Sequence, residues 1–255
     1  MSTFLFDKII FGPVVSRRLG QSLGINLLPP DKKICNFDCI YCECGLTDSP
    51  KAKLPSRQEV AEKLEKVLSE FKQQNKAIDT ITFAGNGEPT LHAEFGEIID
   101  DTCHLRDKYF RSAKIALLTN STTLGGKKIR EAIKKIDLPI LKLDSVKEET
   151  VKLLNNPLGN FNLQNTIAIL KSMHRPIIQT MFVKGSCKGQ TIDNTTKEEL
   201  EPWLKTIAEI NPSLVMIYTI ARDTPFDTLQ KVPVETLESI AAKLKESGIE
   251  TQISG

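Results

Sequence analysis

The sequence predicts a single α/β domain built from six strand–helix units. Three observations carry this reading. Six short runs, most of them continuously apolar, alternate with helical patterns, as parallel strands covered by helices require. Two of the helical segments open with capping-box signatures. No low-complexity linker and no internal repeat divides the 255 residues, a length that α/β barrels routinely use. Composition leaves an open doubly wound sheet and a barrel equally admissible. Either places function at the carboxyl ends of the strands.

Each element follows from its local pattern. Residues 1–21 read as a short N-terminal extension and residues 22–255 as the core. The strand runs lie at 22–29, 79–84, 114–120, 138–145, 176–185 and 214–222. The first helix, at 55–75, opens where Ser56 precedes Glu59 by three. Helices at 94–110 and 127–136 come next. A broken helix fills 148–173, interrupted at Asn155, Asn156, Pro157 and Gly159, where turn-forming residues gather. Thr196 and Glu199 make a second capping box ahead of a helix at 197–210. The last helix, at 234–247, ends at Gly248, a C-cap signal.

Composition narrows the function classes. Lys plus Arg number 34 against 32 Asp plus Glu, a net charge of +2, and this gives little electrostatic support for a nucleic-acid partner. The densest basic run, from Lys127 to Lys135, carries apolar residues at helical spacing and reads as a solvated helix face. No apolar stretch approaches the roughly 20 residues needed to span a bilayer. Asp7 and Lys8 interrupt the apolar N-terminal run, so a signal peptide is not expected.

Four of the six cysteines fall within ten positions: Cys35, Cys39, Cys42 and Cys44. Clustered cysteines in a chain of this size point to metal rather than to a disulfide framework, and hence to a reducing cytoplasm. Cys35, Cys39 and Cys42 follow the first core strand directly. Their x3, x2 spacing lets one loop wrap an iron–sulfur cubane and leave one iron open to a small chelating molecule. Adding Cys44 would complete a four-thiolate zinc site, but such sites usually come as two separated pairs. A fully ligated electron-transfer cluster is the other rival. Cys44 reads as a bystander, Cys103 as a packing residue, and Cys187 as a loop residue on the functional face.

The Cys-x3-Cys-x2-Cys loop, with Tyr41 before its last cysteine, resembles the radical S-adenosylmethionine superfamily. So does the run from Ala84 to Leu91, where Gly85, Gly87 and Glu88 form Gly-x-Gly-Glu-Pro at the end of the second core strand. More closely, the segment from Phe11 to Gly20, the Leu141–Asp144 run and the Ile217–Arg222 run are similar to the wyosine synthase-like subgroup, whose members modify a guanine in transfer RNA. Those synthases carry a second cluster on additional upstream cysteines, and this chain has none before Cys35. A tRNA substrate is therefore weakly supported.

The resemblance implies a partial (β/α)6 barrel of TIM type with a [4Fe–4S] cluster on Cys35, Cys39 and Cys42 at its mouth. It implies reductive cleavage of S-adenosylmethionine to a 5′-deoxyadenosyl radical, which abstracts hydrogen from a substrate. Gly85, Gly87 and Glu88 would hold the methionine amino group, with Tyr41, Asn120 and Asp144 as further cofactor-binding residues. The electron donor would be a small carrier such as flavodoxin or ferredoxin.

Strand alternation puts Lys142 and Asp144 on one face, pointing into the barrel, where they would pair with each other or with ligand. Gln179 shares a face with Met181, and Tyr218 with Arg222. Arg17, Arg18 and Arg222 are candidates for substrate contact, Arg222 with Asp223 as an alternative partner. His92 is expected at the surface. No appended domain with auxiliary clusters is expected after the last helix. A glycyl-radical-enzyme activase and a non-enzymatic iron–sulfur or zinc protein are the alternative functions.

Overall fold

A computed structural model describes residues 4–47 and 52–255. The first three residues of the run read against a signal peptide lie outside them. In chain order the first strands are β1 (Ile10–Ser16), β2 (Gly20–Ile25), β3 (Thr80–Phe83), β4 (Lys114–Thr119) and β5 (Leu138–Lys142). There follow β6 (Ile177–Met181), β7 (Val183–Cys187), β8 (Gln190–Asp193), β9 (Leu214–Tyr218), β10 (Leu229–Lys231) and β11 (Thr251–Ser254). The helices are α1 (Arg57–Gln73), α2 (Phe95–Tyr109), α3 (Lys127–Ile133), α4 (Glu148–Asn155), α5 (Leu163–Ser172), α6 (Lys197–Ile210) and α7 (Val234–Glu246).

The main sheet has the order β1-β2-β3-β4-β5-β6-β9-β11, and every pair in it is parallel except β1 with β2. All six predicted core strands are its consecutive parallel members. They follow chain order because each crossover helix returns the chain to lay the next strand beside the last. The sheet curls into a half barrel with helices outside.

Alternation along the strands sorts side chains between two surfaces. Leu23, Ile25, Ile81, Phe83, Ile115 and Leu117 join Val60, Leu64 and Leu68 of α1 in the helix-facing core. Burying one such side chain contributes about 1.5–3 kcal/mol. The opposite positions face the lumen. Leu19, Ala116, Ile140, Ile177 and Met216 form a separate apolar cluster there, while Ser22 and Thr82 hydrogen-bond to each other at 2.7 Å.

Four differences from the sequence reading have physical causes. The run at 176–185 splits at Phe182 into β6 and β7, because β7 leaves the main sheet for a small one ordered β10-β7-β8, where Gly185 (φ +131°) sits against the Thr228 carbonyl. Within residues 1–21, β1 forms a hairpin with β2, and β11 adds a seventh parallel strand. At α1 the expected cap is present, with Ser56 Oγ accepting from Glu59 N at 3.2 Å. At α6 Thr196 makes no side-chain cap; Glu199 instead accepts from Ser145 and Thr150 at 2.9 and 2.8 Å.

Candidate active site

Beyond β2 the chain crosses the carboxyl end of the sheet and lays the cysteine loop over it. Two seams fix that loop. On one side Ile34 bridges Gly87: Ile34 N donates to Asn86 O at 2.9 Å, and Glu88 N donates to Ile34 O at 3.1 Å. On the other, Asp38 N donates to Asn156 O at 3.1 Å and Ile40 N to Leu154 O at 2.9 Å. The helix break read at Asn155 to Pro157 therefore serves as a docking edge for the loop. A buried ion pair, Lys33 Nζ to Asp38 Oδ1 at 3.0 Å, ties the loop internally, and the same ammonium donates to Gly45 O at 2.9 Å. Burial opposes the Lys33 charge, but Cys42, Cys35 and Asp38 outweigh it and hold the ammonium above its ordinary value.

The two glycines of the second motif are explained by close approaches within the chain. Gly85 (φ +153°) would place a Cβ 2.4 Å from Asn26 Oδ1, and Gly87 (φ +134°) would place one 1.9 Å from Ile34 O. Asn86 between them is fully buried and grips the N-terminal segment, accepting from Phe6 N at 2.8 Å and donating to Phe6 O and Pro29 O at 2.9 and 2.8 Å. Glu88 is buried beneath the site. Its Oε1 accepts from Thr90 N, Thr90 Oγ1 and Thr119 Oγ1 at 3.1, 2.5 and 2.7 Å, and its Oε2 from Asn120 N at 2.7 Å. Burial pushes this carboxyl up, and hydrogen bonds from Asn120, Thr90 and Thr119 offset part of the rise. One lone pair of Oε2 remains for an ammonium. Asn120 turns its amide over the cysteine loop, donating to Asn36 Oδ1 at 2.7 Å and toward Cys35 Sγ at 3.6 Å.

Asp144, just beyond β5, is the polar centre of the opposite wall. Tyr41 Oη and Asn155 Nδ2 (2.7 Å) donate to its Oδ2, and Met181 N donates to its Oδ1 at 2.9 Å. Lys142 Nζ lies 3.4 Å from Oδ2 and 3.1 Å from each of the Tyr41 and Tyr218 hydroxyls. Lys142 and Asp144 thus pair with each other, as their shared face predicts. Burial disfavours the Lys142 charge, yet Asp144, Tyr218 and Cys39 more than compensate and push it up. Burial, then Asp144, lifts the Tyr41 phenol well above its usual range. Sequence reasoning missed Asn155 as a site residue. Its amide donates to Asp144, to Tyr41 Oη at 2.9 Å and to Cys39 Sγ at 3.4 Å, and the sequence signals only a helix break there.

Two of the sulfurs accept hydrogen bonds from the surrounding loop and walls. Cys35 Sγ accepts from Phe37 N at 3.4 Å as well as from Asn120, and Cys39 Sγ accepts from Asn155. Such N–H donors to ligating sulfurs stabilise bound clusters and tune them. As free thiols, Cys35 is pushed up to about 12, chiefly by burial and then by Glu88, and Cys39 is raised by burial. Cys42 is lowered to about 6 by a hydrogen bond from Cys44. Two buried polar atoms beside the site, Asn26 Nδ2 and Ser121 Oγ, have no partner among the described residues.

Other candidates fall elsewhere. His92 is buried rather than exposed: its ring lies 2.8 Å from Pro55 O, and Nδ1 accepts from Glu94 N at 3.1 Å. Arg222 pairs with Glu43 at 2.5 Å instead of with Asp223. Cys187 ends β7, buried in the apolar cluster that also holds Phe37, Ile40 and Tyr41. Cys103 is half-buried against the helix-side core.

Fold and site together define a class: a half barrel with a cysteine-bearing loop laid across the carboxyl end of its strands. Residues 32–191 match the model of the Radical SAM superfamily, and the chain belongs to that family. Membership in that family implies S-adenosylmethionine and an iron–sulfur cluster as cofactors and supports an enzyme. The chain is 31% identical over 252 residues to a protein named GTPase Obg from Brachyspira hyodysenteriae, covering 98% of this chain and 35% of that one. It is 30% identical over 245 residues to a UPF0026 protein from Methanocaldococcus jannaschii, covering 93% of this chain and 71% of that one. The chain thus spans about a third of the first relative's length. It also lacks the Gly-x4-Gly-Lys-Ser/Thr phosphate loop expected of a GTPase.

Among solved structures the fold is similar to a radical SAM methyltransferase from Sphaerobacter thermophilus, with TM-score 0.68 and 13% identity over 91% of this chain and 65% of that one. It is also similar to TYW1 with a lysine-pyruvate adduct bound, with TM-score 0.59 and 14% identity over 88% of this chain and 73% of that one. These likenesses support the partial TIM-type barrel that the family resemblance implies. No helix among the described residues is long and apolar enough to cross a membrane.

Proposed function

We propose that this enzyme cleaves S-adenosylmethionine reductively at a [4Fe–4S] cluster held by Cys35, Cys39 and Cys42, and abstracts hydrogen from a substrate in the barrel lumen. The observation that carries this reading is the set of N–H donors aimed at the Cys35 and Cys39 sulfurs within a loop sewn down on both sides. When bound, the cluster and S-adenosylmethionine supply a 5′-deoxyadenosyl radical for hydrogen abstraction.

The chain's own residues prepare that chemistry. Lys33 places a buried positive charge beside Cys35 and Cys42, which favours their thiolate forms. The Gly85–Glu88 turn offers backbone and the open lone pair of Glu88 to the methionine ammonium. By the family resemblance, Asn120, Tyr41 and Asp144 would be further cofactor-binding residues. Asp144 already accepts from Tyr41, Asn155 and Met181, so its part in that wall is chiefly to fix Tyr41 and Lys142 in place. A small carrier such as flavodoxin or ferredoxin would supply the electron, in a reducing compartment such as the cytoplasm.

The test is anaerobic reconstitution with iron and sulfide, followed by dithionite and S-adenosylmethionine. The reading predicts 5′-deoxyadenosine from the wild type and none from Cys39→Ala. Equal amounts from both would overturn it.

A further inference from the structure

A cavity of about 670 Å³ runs from Cys44 and Gly85 at the cysteine loop down to Arg18 and Ser22 inside the barrel. That volume lies within the range of small-molecule sites. Its charge is one-sided. Arg17, Arg18 and Arg222 line it, and Glu43 is the single carboxylate among the lining residues described. Glu43 is committed to Arg222 at 2.5 Å, and Arg17 donates to Gly255 O at 2.7 Å across the open side of the barrel.

Arg18 is different. No carboxylate lies within ion-pair distance of it among the described residues. Its guanidinium stacks on the Tyr218 ring at 4.8 Å, and NH1 donates to the Oε1 of buried Gln179 at 3.2 Å. The ring fixes its plane and the amide fixes one nitrogen. Nε and NH2 have no hydrogen-bond partner among the described residues. A half-buried guanidinium held in one orientation by neutral neighbours is pre-organised for a bidentate oxyanion. A structural role would be expected to supply a carboxylate instead. Phe6 and Phe11, which stack at 3.7 Å, together with Leu118 and Met181 give the wall its apolar parts, beside the hydroxyls of Ser22, Thr82 and Thr219.

We infer that Arg18 binds the carboxylate or phosphate group of a small substrate whose apolar body lies between Phe11 and Met181. The inference deepens the radical reading by naming a substrate class, and it rests on that reading for the claim that the lumen is where substrate reacts. A recess of this volume, open on one side, suits a small molecule.

The experiment titrates acetate and inorganic phosphate separately into the reconstituted protein at constant ionic strength, by calorimetry, with iron content measured on the same samples. Constant ionic strength screens weak surface binding equally in every sample. Arg18→Gln removes the charge and keeps a polar side chain. Gln179→Glu keeps Arg18 but places a carboxylate against it. The expected result is millimolar binding of at least one anion to the wild type, weakened about tenfold or more in both variants; a tenfold change corresponds to about 1.4 kcal/mol. Whichever anion binds identifies the group. Absence of binding to the wild type, or equal binding by wild type and both variants, overturns the inference. A failed radical reading would show separately, as no 5′-deoxyadenosine from a sample that still binds the anion through Arg18.

Discussion

Tyr41, in the cysteine loop, donates its hydroxyl to Asp144, which lies 103 residues further along the chain, just beyond β5. The bond ties the loop to the barrel wall, and Asn155 reaches both partners. Asp144 has no exposed side-chain surface, so each lost donor leaves part of a buried carboxylate unsatisfied. Tyr41→Phe is therefore expected to cost about 1–3 kcal/mol of stability. Tyr41→Phe combined with Asp144→Asn should cost less than the two single changes summed. Urea denaturation of the four proteins measures the coupling, and strict additivity would show that the two side chains do not act together.

The ion pair inside the loop makes a sharper prediction. The Lys33 and Asp38 side chains are 2% and 9% exposed. Removing one partner strands the other charge, whereas removing both leaves an apolar pair. Lys33→Met should destabilise by about 3–5 kcal/mol, and Lys33→Met with Asp38→Leu by clearly less. Thermal melts of the iron-free proteins distinguish the cases. A double variant worse than the single one would contradict the assignment.

Gly87 and Gly159 form a matched pair. A Cβ at Gly87 would press on the Ile34 carbonyl, whereas one at Gly159 would meet nothing within 4 Å. Gly87→Ala should cost roughly 1–3 kcal/mol through backbone strain and should displace the cysteine loop, lowering iron uptake. Gly159→Ala should leave uptake unchanged. Iron retained per chain after desalting provides the comparison, and equal uptake by the two variants would refute the packing argument.

Glu88 predicts a pH dependence. Its raised value means that the native state keeps the proton to higher pH than the unfolded chain, whose carboxyl titrates near about 4.3. The stability this group contributes is complete below that value and is lost as pH rises through the native value. The stability of the wild type relative to Glu88→Gln should therefore decline as pH is raised from 4 toward neutrality. A difference that grows over that interval would mean that the hydrogen bonds from Thr90, Thr119 and Asn120 outweigh burial.

The parallel core was legible because buried parallel strands are largely apolar, and six short runs, most of them continuously apolar, stand out between helical patterns. β1 was not, since Gly12, Pro13 and the exposed Val14 and Val15 break any strand pattern. β11 is four residues long and three of them are polar, so it becomes a strand only by pairing with β9. At the site, the three cysteines, the glycine turn and the shared face of Lys142 and Asp144 were readable from spacing and alternation. Asn155, and the pairing of Lys33 with Asp38, were not. Each depends on a contact made by folding one loop against another, and no local period encodes it. His92 misled for the same reason: a histidine after a turn looks exposed until the segment before α1 covers it.

The account turns on which thiols hold the cluster, and the most direct measurement is iron and sulfide per chain after anaerobic reconstitution. The wild type and Cys44→Ala should each hold about four irons, while Cys35→Ala, Cys39→Ala and Cys42→Ala should each lose most of them. If Cys44→Ala loses iron as severely as the other three, or if zinc replaces iron in the wild type, the three-cysteine cluster is wrong and the radical chemistry built on it fails.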